Sequence, residues 1–548
     1  MSLGAEIVRK QESMASSRGI WETHWREIAE LILPRQDDFD VRRADGEKRT
    51  HKIYDATGAL SLERFGAVMD SMLTPRGQRW HGLQVTDANL RNDKEVTAWM
   101  EEVTRILFAA RYSVKANFSS QNSERNIALG AFGTAAMLIE DATASGTYLR
   151  YKSIHLAEIF IDENQHGVID KVNRRFEYTA RQAMQRWGKE LPEQIRVAYE
   201  KTPERKFEFI HCVAPNEEMQ AGRADHRGMP FRSHYVSVTE KKLLSTKGYR
   251  TFPYSVSRYI TAPKEIYGRS PAMLVLPDIK MLNEMSKSTI RQAQKVVEPP
   301  LLLTDDGVMS RISTRPNALN YGGIDPVTGN PNIRPLDTGG NVGLGLEMME
   351  QRRDIIKDAF LVNLFQILEK NPRMTATEVL ERSKEKGALL GPSIGRQQSE
   401  ALGPMIEREL DILQHAGALP PMPDALVEAQ GEYDIVYDSP LNRAQHAEEG
   451  IGMLRTVEAL GPLLQLVDDP KAIMRRFNFD EVTKGLAEIN AVPQKWQHSD
   501  DELTAMDEQE AQAQQQAQLL EAAPIAAQTA KTMAEAQSLS QGGQVGGI

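Results

Sequence analysis

A single cysteine, Cys212, stands in 548 residues. One thiol excludes an intramolecular disulfide and any cysteine-rich zinc site, and it fits synthesis in a reducing cytoplasm. No run approaches the ~18 apolar residues that cross a bilayer, so no membrane span is expected. The opening residues, Met1-Ser2-Leu3-Gly4-Ala5-Glu6, lack the basic patch and apolar stretch of a secretory signal. Positive charge is not in excess either, since the net charge is −10. That argues against a protein that coats nucleic acid with a basic surface. From Asp500 onward there are eight acidic residues and one basic, a net −7, which leaves the preceding residues at −3. Local basic stripes are compatible with that nearly neutral body.

The absences extend to chemistry. The phosphate-loop pattern G-x-x-x-x-G-K-[ST] does not occur. Its nearest approach runs from Ala183 to Glu190, where Gly188-Lys189 is followed by Glu190 and no hydroxyl is available for Mg²⁺. Gly268-Arg269-Ser270-Pro271-Ala272 contains a serine but lacks the second glycine of a nucleophile elbow, and Pro271 suits the first turn of a helix. The eleven histidines form no H-E-x-x-H or H-x-x-x-H group. His51, His155, His211 and His234 read as ordinary surface or half-buried side chains. Cys212, within Phe209-Ile210-His211-Cys212-Val213, reads as a buried thiol. The pairs Asp37-Asp38, Asp305-Asp306 and Asp468-Asp469 supply too few ligands for calcium. No catalytic, cofactor or metal site is expected. A metal-dependent nuclease or packaging enzyme using the acidic pairs stays as one alternative, and a helical cytosolic scaffold or adaptor as another.

What is present is a long chain with ample core. Apolar residues make up 41% and charged residues 26%, as in globular proteins. Three- and four-residue spacing predicts a helix over 1–35 (Trp21, Trp25, Ile28, Ile32, stopped by Pro34) and another from Gly58 to Pro75 (Leu62, Phe65, Met69, Leu73). A third covers Asp93 to Ala110. Strands are predicted at Ala136–Glu140, Tyr148–Ser153, Glu158–Asp162, Val168–Tyr178, Phe207–Val213, Phe231–Thr239 and Tyr254–Tyr259. Helix returns from Pro271 to Glu298. A Pro/Gly/Asn-rich stretch follows to Gly345, and helix resumes over Leu346–Leu368. A capping box at Thr375-Ala376-Thr377-Glu378 opens another helix. Further helices cover Gln397–His415 and Arg443–Glu488, and a Gln/Ala-rich acidic segment closes the chain.

The segment Asp278–Val297 carries the most physical content. At helical period, Lys280, Lys287, Arg291 and Lys295 share one stripe about 80° wide. Leu282, Met285, Thr289 and Val296 fall near the opposite side and are expected to pack, flanked by Ile279, Ile290 and Val297. The stripe is either a solvated face or a phosphate-facing one. In a ring, each cation would become a belt of cations that touches a backbone without reading sequence.

Several stretches, in order, resemble the podovirus-type bacteriophage head-to-tail connector, or portal, family. They are Trp25 through Pro34-Arg35; Asp55-Ala56-Thr57-Gly58; Leu73-Thr74-Pro75; and Arg79-Trp80. In the middle come Tyr267-Gly268-Arg269-Ser270-Pro271-Ala272-Met273, Asp278-Ile279-Lys280, Leu282-Asn283, Glu298-Pro299-Pro300 and Asp306-Gly307. Later come Pro372 through Val379, Leu390-Gly391-Pro392 and Ser439-Pro440-Leu441. Ser270 departs from the family's Gly-Arg-Gly-Pro pattern, with little consequence expected before a helix-starting proline.

The resemblance implies an α+β, mainly helical portal fold with wing, helical stem, β-containing clip and helical crown, assembled as a ring of twelve. It implies a wing over 1–265, a first stem helix over 266–298, a clip over 299–345 and a second stem helix over 346–368. A channel-loop region would cover 369–396, a wing return 397–444, a crown 445–500, and a C-terminal helix or barrel 501–548. Channel candidates are then Lys280, Lys287, Arg291, Lys295, Lys384, Lys386 and Arg396. Clip residues Asp305, Asp306, Arg311, Arg315 and Arg334 are candidates for docking the terminase. The implied partners are copies of the chain, double-stranded DNA without sequence preference, the terminase large subunit, a tail adaptor, and capsid and scaffold proteins. The implied location is the portal vertex of the virion.

Overall fold

In a computed structural model the described residues are 2–39, 46–303 apart from 88, 92 and 221, 313–336 apart from 314 and 326, 342–362, and 391–437 apart from 430, with isolated positions beyond. Two compact units divide the chain, Met1–Ala444 and Gln445–Ile548. The second unit, where the crown and C-terminal segment are expected, lies outside the described residues except for isolated positions, as does the expected Thr375 helix.

Helix α1 (Leu3–Ile32) starts where the Ser2 hydroxyl accepts the Ala5 N–H, and buries Trp25, Ile28, Ala29 and Ile32 at the predicted spacing. Pro34 stands just past its end, in a short 3₁₀ turn. Helix α2 (Thr57–Leu73) turns Leu62, Phe65, Met69 and Leu73 inward. Strand β1 (His81–Val85) follows, then α3 (Lys94–Arg111), capped by Asp93, and α4 (Phe118–Phe132). Helices α2 and α4 meet closely through Gly130, where a Cβ would sit 2.5 Å from a Phe65 ring carbon.

Eight of the strands form two antiparallel sheets. Strands β2 (Thr134–Asp141), β3 (Leu149–Ile154) and β9 (Tyr254–Arg258) give the order β3-β2-β9. Strands β4 (Ile159–Glu163), β5 (Ile169–Thr179), β6 (Lys206–Pro215), β7 (Phe231–Ser237) and β8 (Lys242–Tyr249) run in sequence order. Against the second sheet lie α5 (Ala180–Trp187) and α6 (Glu193–Lys201), with Ala180, Leu191 and Ile195 clustered on Phe176 and Phe209. Cys212 is buried on β6, and burial pushes its thiol up to about 11.

The chain then leaves this body along α7 (Pro271–Val297). The strand pair β10 (Leu301–Leu303) and β11 (Ile333–Pro335) follows, and α8 (Val342–Ala359) comes back. This helix starts earlier and ends sooner than the predicted 346–368. Leu361 takes a left-handed φ of 61°, which a helix cannot continue through. From residue 391 the chain rejoins the body: a helical turn, a π segment (Gln398–Leu402), α9 (Gly403–His415), α10 (Asp424–Glu428) and β12 (Tyr433–Tyr437). Strand β12 pairs antiparallel with β1, from His81↔Tyr437 to Val85↔Tyr433. The body is thus α+β and made from two stretches of chain, with the α7–α8 excursion between them.

Candidate functional site

The excursion starts from a tightly built root. Gly133 has φ +75°, and a Cβ there would lie 2.4 Å from the Gly268 carbonyl oxygen. A Cβ on Gly268 would in turn lie 2.3 Å from the Gly133 carbonyl oxygen. Ser270, expected to matter little, is buried and caps α7. Its hydroxyl oxygen accepts the Met273 N–H at 3.0 Å and its hydroxyl donates to the Ala131 carbonyl at 2.8 Å. Pro271 occupies the first helical turn, as predicted.

Helix α7 buries Ala272, Val275, Leu276, Ile279, Leu282, Asn283 and Ser286, and nothing beyond Ser286. Asn283 ties it to the segment before α2, accepting the Tyr54 N–H at 2.7 Å and donating to the Lys52 carbonyl at 2.9 Å. Helix α8 runs antiparallel beside it. Thr289 lies against Gly345, Ser286 Oγ meets Met349 Sδ at 3.4 Å, and Arg352 bridges to Asp278 at 2.8 Å. Arg353 reaches Asp55 at 2.9 Å, fastening α8 to the body. The guanidinium and the Thr57 hydrogen bonds hold the Asp55 carboxyl below its ordinary value, against the opposing effect of burial.

The packing face of α7 differs from the one read from the sequence. Leu282 packs as expected, but Val296 is 62% exposed, and Ile290 and Val297 are exposed as well. Beyond Ser286 no residue of α7 is buried, and Thr289, turned to Gly345 of α8, is only half-covered.

Lys280, Lys287, Arg291 and Lys295 share the side of α7 directly opposite α8. Lys280 pairs with Glu27 of α1 at 2.8 Å. Lys287 pairs with Glu284 at 3.1 Å and sits over the Tyr54 ring. Arg291 and Lys295 are exposed, and among the described residues neither makes an ion pair. Arg396 lies apart from this stripe. It bridges to Glu400 at 3.1 Å, and that carboxylate also holds the buried guanidinium of Arg258. Arg315 and Arg334 are exposed on the β10–β11 excursion. Lys384, Lys386, Asp305, Asp306 and Arg311 lie outside the described residues.

Two features were not anticipated. Helix α8 carries its own stripe, Glu347, Glu350, Asp354 and Asp358, all exposed and all on the side directly opposite α7. Their spacing was legible in the sequence, but only the hairpin gives it a direction. The β10–β11 excursion presents apolar side chains beside its charges: Leu301, Leu302, Leu303, Tyr321 and Val327 are exposed.

The return segment is locked in by buried polar contacts. Arg111 and Glu409 form an ion pair with both side chains fully buried, and the Tyr151 hydroxyl donates to the same carboxylate at 2.5 Å. The Gln397 amide donates to the Arg258 carbonyl, and Ser255 to that of Ala401. Among the described residues no group of three His, Cys, Asp or Glu side chains is placed to hold a metal, and no helix is long and apolar enough to cross a membrane.

The described residues thus make a two-part α+β body with a helical hairpin whose excursion exposes apolar side chains. The sequence matches the bacteriophage head to tail connecting protein family over residues 5–496, and the chain belongs to that family. It is similar to the probable portal protein of Bordetella phage BPP-1, 30% identical over 530 residues, or 93% of this chain and 92% of that one. It is also similar to the portal protein of Salmonella phage epsilon15, 27% identical over 544 residues, 97% and 95% of the two chains. Among solved structures, the neck of an empty gene transfer agent particle aligns over 77% of this chain and 91% of its own. At 10% identity and a TM-score of 0.38, that likeness carries no argument.

Proposed function

We propose that this protein is the portal subunit of a phage virion. About twelve copies close into a ring at one capsid vertex, in keeping with the resemblance to portal proteins. The ring passes double-stranded DNA during packaging and ejection, and acts as a channel, not a catalyst. In this reading the body is the wing, completed by residues from 391 onward. Helices α7 and α8 are the stem, and the β10–β11 excursion is the clip, which docks the terminase large subunit and then a tail adaptor. Capsid and scaffold proteins surround the wing.

The observation that carries this reading is the hairpin that leaves and re-enters a body locked by Glu409 and β12. Beyond Ser286 the first arm of the hairpin buries no residue within the single chain. A closed ring gives that arm neighbours. A body whose positive and negative charges nearly balance also suits DNA that must slide, because each neutralised phosphate adds salt-dependent affinity.

Native mass spectrometry with negative-stain microscopy tests the reading. The expected result is a closed ring of about twelve 61.4 kDa chains with a central hole. A compact small oligomer that persists at high concentration and with scaffold protein present overturns it.

A further inference from the structure

We infer that the basic stripe of α7 is a subunit contact: it docks on the acidic stripe of α8 in the next copy of this chain. The inference rests on the ring reading above and names the surfaces that close the ring. Viewed down the hairpin, the order is cations, α7, α8, carboxylates. Lys280, Lys287, Arg291 and Lys295 share one edge, with Glu284 among them and Glu27 of α1 paired to Lys280. Glu347, Glu350, Asp354 and Asp358 share the other, with Lys357 beside Glu350 and Asp354 and Arg353 beside Glu350. The body covers a third side through Asn283–Lys52 and Arg353–Asp55. An element with opposite charges on opposite edges is complementary to its own copy, head to tail. Such a contact is heterologous, and it closes into a ring when the rotation permits. Charge of this kind fixes partner and register more than raw affinity.

Height and flanks agree. Thr289 lies level with Gly345 and Ser286 with Met349, so Lys287 lies near the level of Glu347, and Lys280 near that of Asp354. Rotation about a ring axis preserves height, and helices running close to that axis bring these same levels together between neighbours. Exposed apolar side chains border each stripe: Leu274 (76% exposed) and Met281 (47%) on α7, Met348 (44%) and Ile355 (42%) on α8. Because the helices are antiparallel, both flanks fall on the same side when the stripes face each other. Apolar side chains beside cations suit a protein neighbour better than a phosphate backbone, whose contacts are polar and charged.

The test uses the full chain and reverses each edge separately. One variant carries Lys280→Glu with Lys287→Glu, the other Glu347→Lys with Asp354→Lys. The unaltered chain is measured first; if it forms no ring even at high concentration and with scaffold protein present, the portal reading itself has failed. Given rings from the unaltered chain, each variant alone is expected to need a concentration about tenfold or more higher to close. A one-to-one mixture is expected to restore rings that alternate the two variants, with even subunit numbers only. A chain carrying all four reversals is expected to assemble as well. Rings from each variant alone at the original concentration overturn the inference, and a packaging defect in such rings would assign the cations to DNA. Failure of both the mixture and the four-fold variant also overturns it, because the loss would then not be one of charge pairing.

Discussion

At the residue scale, Arg111 and Glu409 form the most completely buried ion pair among the described residues. Both side chains are fully buried. Burial opposes the Arg111 charge, but Glu409 more than offsets that and keeps the guanidinium ionised. Taking one partner away leaves a lone charge in the core. Arg111→Met or Glu409→Gln is expected to lower stability by about 3–5 kcal/mol, whereas an apolar double replacement of matched volume is expected to cost much less. Chemical denaturation of the three variants measures the difference.

Two histidines add a dependence on pH. His81 and His211 are buried, and burial holds both well below the ordinary value of 6.5, helped at His81 by the Arg111 charge and at His211 by Arg186 and Arg174. His211 stays neutral between the hydroxyls of Tyr254 and Ser233. Below about pH 6.5 the unfolded chain binds these protons and the native one does not. Stability therefore falls as pH drops from there toward the lowered native values, at about 1.4 kcal/mol per pH unit for each such histidine. Melting temperature followed from pH 7.5 to 5.5 should show the decline, and His211→Gln should flatten it. A profile unchanged by that substitution counts against the assignment.

At the element scale, the root of α7 decides how the hairpin leaves the body. Gly133 combines φ +75° with a neighbouring carbonyl at 2.4 Å from any added Cβ. Alanine there must distort the chain crossing beneath the helix. Ser270→Ala removes a cap and a buried hydrogen bond together. Its expected cost is about 1–2 kcal/mol, and that of Gly133→Ala is larger; thermal melting ranks them. The sequence pattern already showed the helices with three- and four-residue spacing, most strands of both main sheets, and α7 to within a residue of its ends. It did not show β1 or β12, because five-residue strands far apart in the chain have no local partner to mark them. It missed α4, whose buried positions include Asn122, Arg125 and Asn126 rather than an apolar stripe. The cations of α7 were legible as a stripe, but their direction was not, since periodicity says which residues share a side and never what stands opposite.

At the scale of the whole molecule, the body is not a continuous piece of sequence. Its N-terminal stretch supplies both main sheets and the first six helices, and the stretch after residue 391 supplies α9, β12 and the carboxylate for Arg111. Glu409 follows Arg111 by 298 residues. At roughly 5–20 residues per second of synthesis, the interval is on the order of 15–60 s. Throughout it the nascent chain holds an uncompensated guanidinium where its core will form, and β1 has an open edge. A half-made subunit, or one broken off before β12, therefore cannot settle into the body that roots the hairpin. Synthesis through β12 thus sets when the hairpin can gain its root.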